Sequence, residues 1–143
     1  MEELQLNIVW PHQVEAFWPQ IGPWVVLAIG EAADHSDVEF IKRQCICGNA
    51  VPFVLSRNNS IEVVLICETA FYGGKKTLVL RWLCGKERHN WLCYIHLVED
   101  YAYANNFERL ELWGRKAWER ELKGYGFAHE FTVLGKYVTK RVH

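Results

Sequence analysis

Cys84 and His89 lie five residues apart at the predicted start of a helix, where a thiolate is favoured and an imidazole can take its proton. No third orienting group can be assigned from the sequence, and a buried or incidental thiol is the preferred account. Cys45-x-Cys47 offers two more thiolates, with Cys84, His89, Cys93 and His96 as further donors. A one-residue spacing on a helix points side chains apart, whereas structural zinc uses pairs two to four residues apart, so no metal site is expected. His96 and His129 are each read as a lone side chain rather than a base.

Aromatic and basic residues are the second chemical resource. Lys75, Lys76, Arg81, Lys86, Arg88, Arg115, Lys116, Lys136, Lys140 and Arg141 are spread through the second half with Trp82, Trp91 and Trp113 among them. Such a set could form a phosphate or single-strand nucleic-acid surface, but scattered charge is ordinarily a solvated face. Met1 to Gly30 holds Trp10, Trp18 and Trp24, three of the four prolines, and only Glu2, Glu3 and Glu15 as charged residues. Those three indoles are the candidate surface for other proteins, the competing reading being that they cover one face of a sheet.

The chain has 143 residues, 16 Lys+Arg against 17 Asp+Glu, a net charge of -1, and half its residues hydrophobic. That composition excludes a disordered chain, and the missing basic excess argues against a dedicated nucleic-acid module. The chain is read as one unit, 1–143, with a helical part over 1–50 and a sheet with two packed helices over 51–140. No apolar run approaches a membrane span, and Met1-Glu2-Glu3 lacks the order of a secretory signal, so a cytoplasmic protein without membrane contact is expected. Five cysteines without a framework spacing fit free, largely buried thiols.

Two helices are predicted first. Val14, Phe17, Trp18 and Ile21 recur at helical steps, with Pro19 and Pro23 expected to break or bend the segment. Ser36 and Glu39 form a capping-box pattern ahead of Val38, Ile41 and Cys45, and Gly48-Asn49 supplies a stop. From Val51 the period becomes that of strands: Val51 to Ser56, Ile61 to Ala70 and Thr77 to Leu83, joined by polar and Gly-Gly turns, make an antiparallel meander. A helix over Asn90 to Tyr103, a strand over Arg109 to Trp113, a helix over Arg115 to Lys123 and a last strand over Glu130 to Val138 complete the order.

This α/β (α+β) order, a three-strand antiparallel meander followed by helix, strand, helix and strand in a mixed sheet, resembles the GNAT superfamily of N-acetyltransferases. Glu111-Leu112-Trp113-Gly114, Ala117 and Gly126-Phe127 are similar to that family's C-terminal half. The resemblance implies acetyl-CoA with its pyrophosphate on backbone N–H groups of a loop Gln/Arg-x-x-Gly-x-Gly/Ala. Here that loop is Arg81 to Asn90, and neither register of it completes the pattern; Gly85, Lys86, Arg88 and His89 are the residues that would hold the cofactor if the protein is enzymatic. It also implies a base and an acid. Glu68 is the candidate base for deprotonating an amine, its other reading being a solvent-facing strand residue. The usual Tyr is absent, since Leu122 or Glu121 takes its place, and Tyr125 is the substitute acid.

Small phage-encoded GNAT-like proteins, including an internal virion protein of short-tailed phages, resemble the chain in Gly85-Lys86 and Leu112-Trp113. That resemblance implies a catalytically degenerate protein acting in virion structure or assembly through protein contacts, with no cofactor expected. The alternative is an N-acetyltransferase with a divergent cofactor loop.

Overall fold

A computed structural model describes residues 4–32, 37–85, 95–114, 117–138 and 140. Five strands form one sheet in the order of the chain: β1 (Gln5–Ile8), β2 (Ala50–Arg57), β3 (Ser60–Tyr72), β4 (Lys75–Gly85) and β5 (Arg109–Leu112). Helices α1 (Val14–Ala32) and α2 (Val38–Ile46) precede β2, α3 (Ile95–Ala104) lies between β4 and β5, and α4 (Ala117–Leu122) follows β5. The first four strands are antiparallel neighbours, and β5 joins β4 in parallel, as a crossover through α3 permits.

The meander forms where the sequence places it. Asn58 and Asn59 take left-handed backbone angles (φ 52° and 61°) at the first turn, and Gly73 and Gly74 do so (φ 59° and 83°) at the second. Residues that tolerate positive φ in both central positions match the twist of the strands they join. Helix α2 begins one residue later than the Ser36 pattern predicts: Asp37 is the cap, its carboxylate accepting from the Phe40 N–H at 2.7 Å. Ser36 lies outside the described residues.

Three predicted features are corrected. Gln5–Ile8 is a strand inside the expected helical region; its alternation of apolar Leu6 and Ile8 with polar Gln5 and Asn7 is only four residues long. Helix α1 runs through Pro19 and Pro23 without a break. Both prolines lie on the exposed face, so the carbonyls they leave without helical partners, those of Glu15 and Pro19, lie on the side that faces water, while Val14, Ile21, Val25 and Ala28 are buried. The segment Glu130 to Val138 is no strand; it lies exposed beyond α4 and pairs with no strand of the sheet.

Two cores sandwich the sheet. On one face Phe53, Leu65, Cys67, Leu78 and Leu80 pack with Ile95, Val98 and Ala102 of α3 and Leu122 of α4. On the other Val54, Val64, Ile66, Trp82 and Cys84 pack with Val14, Ile21 and Val25 of α1 and Ile41 and Cys45 of α2. Strand β4 crosses from one core to the other. Leu78 and Leu80 serve the first and Trp82 and Cys84 the second, although residues two apart on a regular strand share a face. The cause is an inserted residue: Ile66 stands opposite Trp82 and Cys67 opposite Leu80, which leaves Arg81 as the extra residue of a β-bulge. Trp82, read from the sequence as part of a possible basic and aromatic surface, is therefore among the largest fully buried side chains.

Cys45, Cys67 and Cys84 are buried free thiols and Cys47 is exposed. Burial pushes the Cys45 thiol from 9.0 up to about 12, with Cys47 and Glu68 adding to the rise. Cys67 is raised well above the ordinary value by the same desolvation, then by Glu68. Above pH 9 the unfolded chain releases these protons while the folded chain keeps them, so the unfolded state binds fewer protons and stability falls as pH rises from 9 towards 12. Each thiol is expected to contribute a slope of about 1.4 kcal/mol per pH unit in that window. Urea unfolding at pH 8, 9.5 and 10.5 checks this: Cys45→Ala should flatten the decline, and an identical decline in both proteins would contradict it.

Candidate functional site

The bulge that turns Trp82 inward also sets Arg81 just past the end of the β4–β5 ladder, where β4 runs on beyond the last residue of β5. The β4–β5 ladder holds four residue pairs, from Thr77 with Arg109 to Leu80 with Leu112. The Trp113 N–H then donates to the Leu80 carbonyl at 3.1 Å, and β4 continues through Arg81 to Gly85 beyond its last β5 partner. Just past the last β5 partner, the Arg81 guanidinium lies 4.4 Å from the ring centroid of Trp82 and 4.4 Å from that of Trp113. It is held between two indoles, one buried and one 41% exposed.

Arg81 donates from Nη1 to Oε1 of Glu68 on β3. Both side chains are less than a third exposed, so this pair is screened less than a surface ion pair, and a hydrogen bond to a carboxylate is stronger than a neutral one. Glu68, anticipated as a base or a solvent-facing residue, is half-buried and held by a cation that stands just past the end of the β4–β5 ladder. A second polar run continues from Trp113. Its Nε1–H donates to Glu111 Oε1 at 3.0 Å, Arg109 Nη1 donates to Glu111 Oε2 at 2.8 Å, and Arg109 Nη2 donates to Glu130 Oε1 at 2.5 Å. The hydrogen bonds to Glu130, then those to Glu111, raise the Arg109 pKa above its ordinary value. Glu68, Arg81, Trp113, Glu111, Arg109 and Glu130 thus form one connected line along the α1 side of β3, β4 and β5.

No family model matches the sequence, and no curated protein matches it. Solved structures match nearly end to end. A probable acetyltransferase superposes with a TM-score of 0.71 at 10% identity over 96% of this chain and 99% of that one. A predicted acetyltransferase from Clostridium acetobutylicum, solved with acetyl-CoA, gives 0.67 at 10% identity over 94% and 96%. An aminoglycoside acetyltransferase from an uncultured soil metagenomic sample, solved with sisomicin, gives 0.62 at 18% identity over 96% and 97%. The chain has a GNAT-type acetyltransferase fold. At these identities the likeness is one of fold, and chemistry has to be read from the residues.

On the GNAT frame the anticipated site residues separate. Gly85, within the Arg81 to Asn90 loop of the resemblance, is the half-buried last residue of β4, so the first half of that loop, Arg81 to Gly85, is strand. Lys86, Arg88 and His89 lie outside the described residues. Tyr125 is exposed in a 3-10 turn after α4, which closes at left-handed Gly126 (φ 90°) with the Phe127 N–H donating to the Leu122 carbonyl at 3.3 Å. That is the expected Gly-Phe turn, but among the described residues no hydrogen bond joins Tyr125 to Glu68. Cys84 is buried in the second core, Cys45 likewise, and Cys47 is exposed; among the described residues no three His, Cys, Asp or Glu side chains converge as a metal site would need. Of the proposed partner indoles, Trp18 and Trp24 pack partly buried against the second core and Trp10 is 47% exposed.

Sequence reading named Glu68 but missed its pairing with Arg81 and the run through Glu111 and Arg109. The alternation Arg109-x-Glu111 on a predicted strand was a usable sign that both face one side. Glu130 could not have been placed without the fold. A double-mutant cycle with Arg81→Met and Glu68→Gln, followed by urea unfolding, is expected to give a coupling energy of about 1–2 kcal/mol. Additive single effects would show that the pair contributes nothing to the stability of the fold.

Proposed function

We propose that this chain is an N-acetyltransferase that moves an acetyl group from acetyl-CoA to an amine. The observation that carries the reading is Glu68, held by Arg81 where β4 runs past β5, in a fold that spans almost the whole length of acetyltransferases, one of them solved with acetyl-CoA. Two features support a site for an extended cofactor. Beyond Leu80 and Leu112 the two strands no longer share a ladder, and β4 ends in Gly85, which lacks a Cβ to hold a phosphate away from backbone.

Acetyl-CoA, when bound, supplies the acyl group as a thioester; the new C–N bond forms as the C–S bond breaks. Glu68 accepts the proton that the attacking amine must lose, directly or through one water. Arg81 acts as a positioning residue: its bond to Oε1 and its stacking on two indoles fix the carboxylate's direction. Gly85, with Lys86, Arg88 and His89, is assigned to the cofactor phosphates, and Tyr125 to the departing thiolate. The loop departs from the usual Gln/Arg-x-x-Gly-x-Gly/Ala pattern, so affinity for the cofactor is the first property to measure.

One observation favours a second reading, a fold that has lost its chemistry and acts through protein contacts. Arg81 reaches from β4 to Trp113 and fills the space between that indole and Trp82 just past the end of the β4–β5 ladder. A phage virion or assembly role rests on the sequence resemblance alone, and nothing in the structural comparisons supports it.

Calorimetric titration with acetyl-CoA separates the two readings. The enzyme reading expects saturable binding with Kd below about 1 mM, the range of ordinary enzyme substrates. On any amine that the protein acetylates, Glu68→Gln is expected to lower kcat by about 10²- to 10⁴-fold while acetyl-CoA still binds. Absence of binding at millimolar acetyl-CoA would overturn the proposal in favour of the second reading.

A further inference from the structure

Arg81 stands between two indoles that are held in different ways. Trp82 is fully buried in the second core, where close packing fixes its ring. Trp113 is 41% exposed and follows the last residue of β5. Its backbone is fixed on both sides: its N–H bonds to the Leu80 carbonyl, and a Cβ on the next residue, Gly114, would stand 3.0 Å from Leu112 Cδ2 and 3.0 Å from Trp118 Cδ1. That leaves the side-chain torsions of Trp113, which half-exposed packing alone does not set. The bond from its Nε1–H to Glu111 Oε1 at 3.0 Å sets them.

Glu111 precedes Trp113 by two residues, the spacing that puts side chains of an extended chain on one face. Its side chain is only 10% exposed, and its other oxygen, Oε2, accepts from Arg109 Nη1 at 2.8 Å. Both oxygens are thus committed, one to the indole and one to a guanidinium that Glu130 also holds. Leu110 and Leu112 carry the apolar contact of β5 with the first core, and Glu111 takes no part in it. A buried ion pair seldom stabilises a fold more than apolar side chains of the same size. What this one supplies is direction, a carboxylate that cannot turn, aimed at the single polar atom of the Trp113 side chain.

We propose that Glu111 is a positioning residue for Glu68, acting through Trp113 and Arg81; its bearing on catalysis rests on the acetyltransferase reading above. Glu68 accepts from Arg81 through Oε1, and among the described residues it has no other hydrogen-bond partner. Its direction therefore follows that of the Arg81 guanidinium. The guanidinium is in turn held by two rings, 4.4 Å from the centroid of each. With Trp82 immobile, Trp113 is the ring that could move, and Glu111 is what stops it. A ring rotated away from Arg81 would leave the guanidinium held on one side only, free to tilt and to take the carboxylate out of line with an attacking amine. Misplacement of a reacting group by about 1 Å is enough to lower a rate about 10²-fold.

Nuclear magnetic resonance of the free protein tests the positioning, and kinetics test its catalytic consequence. Glu111→Leu removes the acceptor. Trp113→Phe keeps a ring and removes the donor; Trp113 is half-exposed, so this variant should keep the wild-type circular dichroism even if the first does not. Each is expected to shift the Arg81 side-chain N–H and Glu68 carboxylate-carbon resonances. In the Trp113→Phe background, adding Glu111→Leu should move neither signal further, because no bond remains to be broken. On any amine that the protein acetylates, each variant is expected to lower kcat about 10- to 100-fold with acetyl-CoA affinity unchanged. Unmoved Arg81 and Glu68 signals in the folded variants, or shifts that add in the double variant, would overturn the positioning role. Shifted signals with kcat unchanged would overturn its part in catalysis. Wild-type protein that binds no acetyl-CoA would instead overturn the enzyme reading, and the resonances would still decide whether Glu111 holds the pair.

Discussion

One inserted residue in β4 governs much of this molecule. With Arg81 bulged, β4 reverses its inward alternation midway, so that its first half serves the core under α3 and α4 and its second half the core under α1 and α2. Were Arg81 paired in a regular ladder instead of bulged, Leu78, Leu80, Trp82 and Cys84 would share one face, and the second core would lose its largest fully buried side chain. The same irregularity adjoins the end of the β4–β5 ladder and places a guanidinium between Trp82 and Trp113 there. Packing and site geometry therefore share one cause.

Around that point the polar groups are arranged as neighbours rather than scattered. Glu68 is fixed by Arg81, Trp113 by Glu111, and Glu111 by Arg109. Partly buried charges of this kind cost desolvation and hold their positions only while each partner is present. Losing Arg81 would release the carboxylate and unstack the indole that caps the end of β5. Such coupling is what a positioned proton acceptor needs, and it is equally what would close a cleft that no longer works. The cofactor titration distinguishes these because the geometry is common to both.

The meander was legible in the sequence because its signals are local. Near-continuous apolar, β-branched runs bounded by Asn58-Asn59 and Gly73-Gly74 fix strand limits to within a residue or two. The stripe Ile95, Val98 and Ala102 on α3 was equally clear. What escaped depends on context. A bulge leaves no mark in composition, so Trp82 was assigned to the wrong surroundings; β1 is too short to show its period; and Pro19 and Pro23 are tolerated because α1 turns them to solvent. Glu130 to Val138 shows the reverse, a segment with strand chemistry that pairs with no strand among the described residues. Of the site, Glu68 was visible as a residue type, while its fixing by Arg81 required the register of β3 against β4.

The proposed acetyl-CoA cleft lies where β4 runs past the end of β5, beside Glu68 and Arg81. Hydrogen exchange with and without saturating acetyl-CoA tests it at the right place. The account predicts slowed exchange for the amides of Arg81 to Gly85 and of Trp113, with little change in β1 or α2. Unchanged exchange at those positions, or protection confined to another part of the sheet, would contradict it.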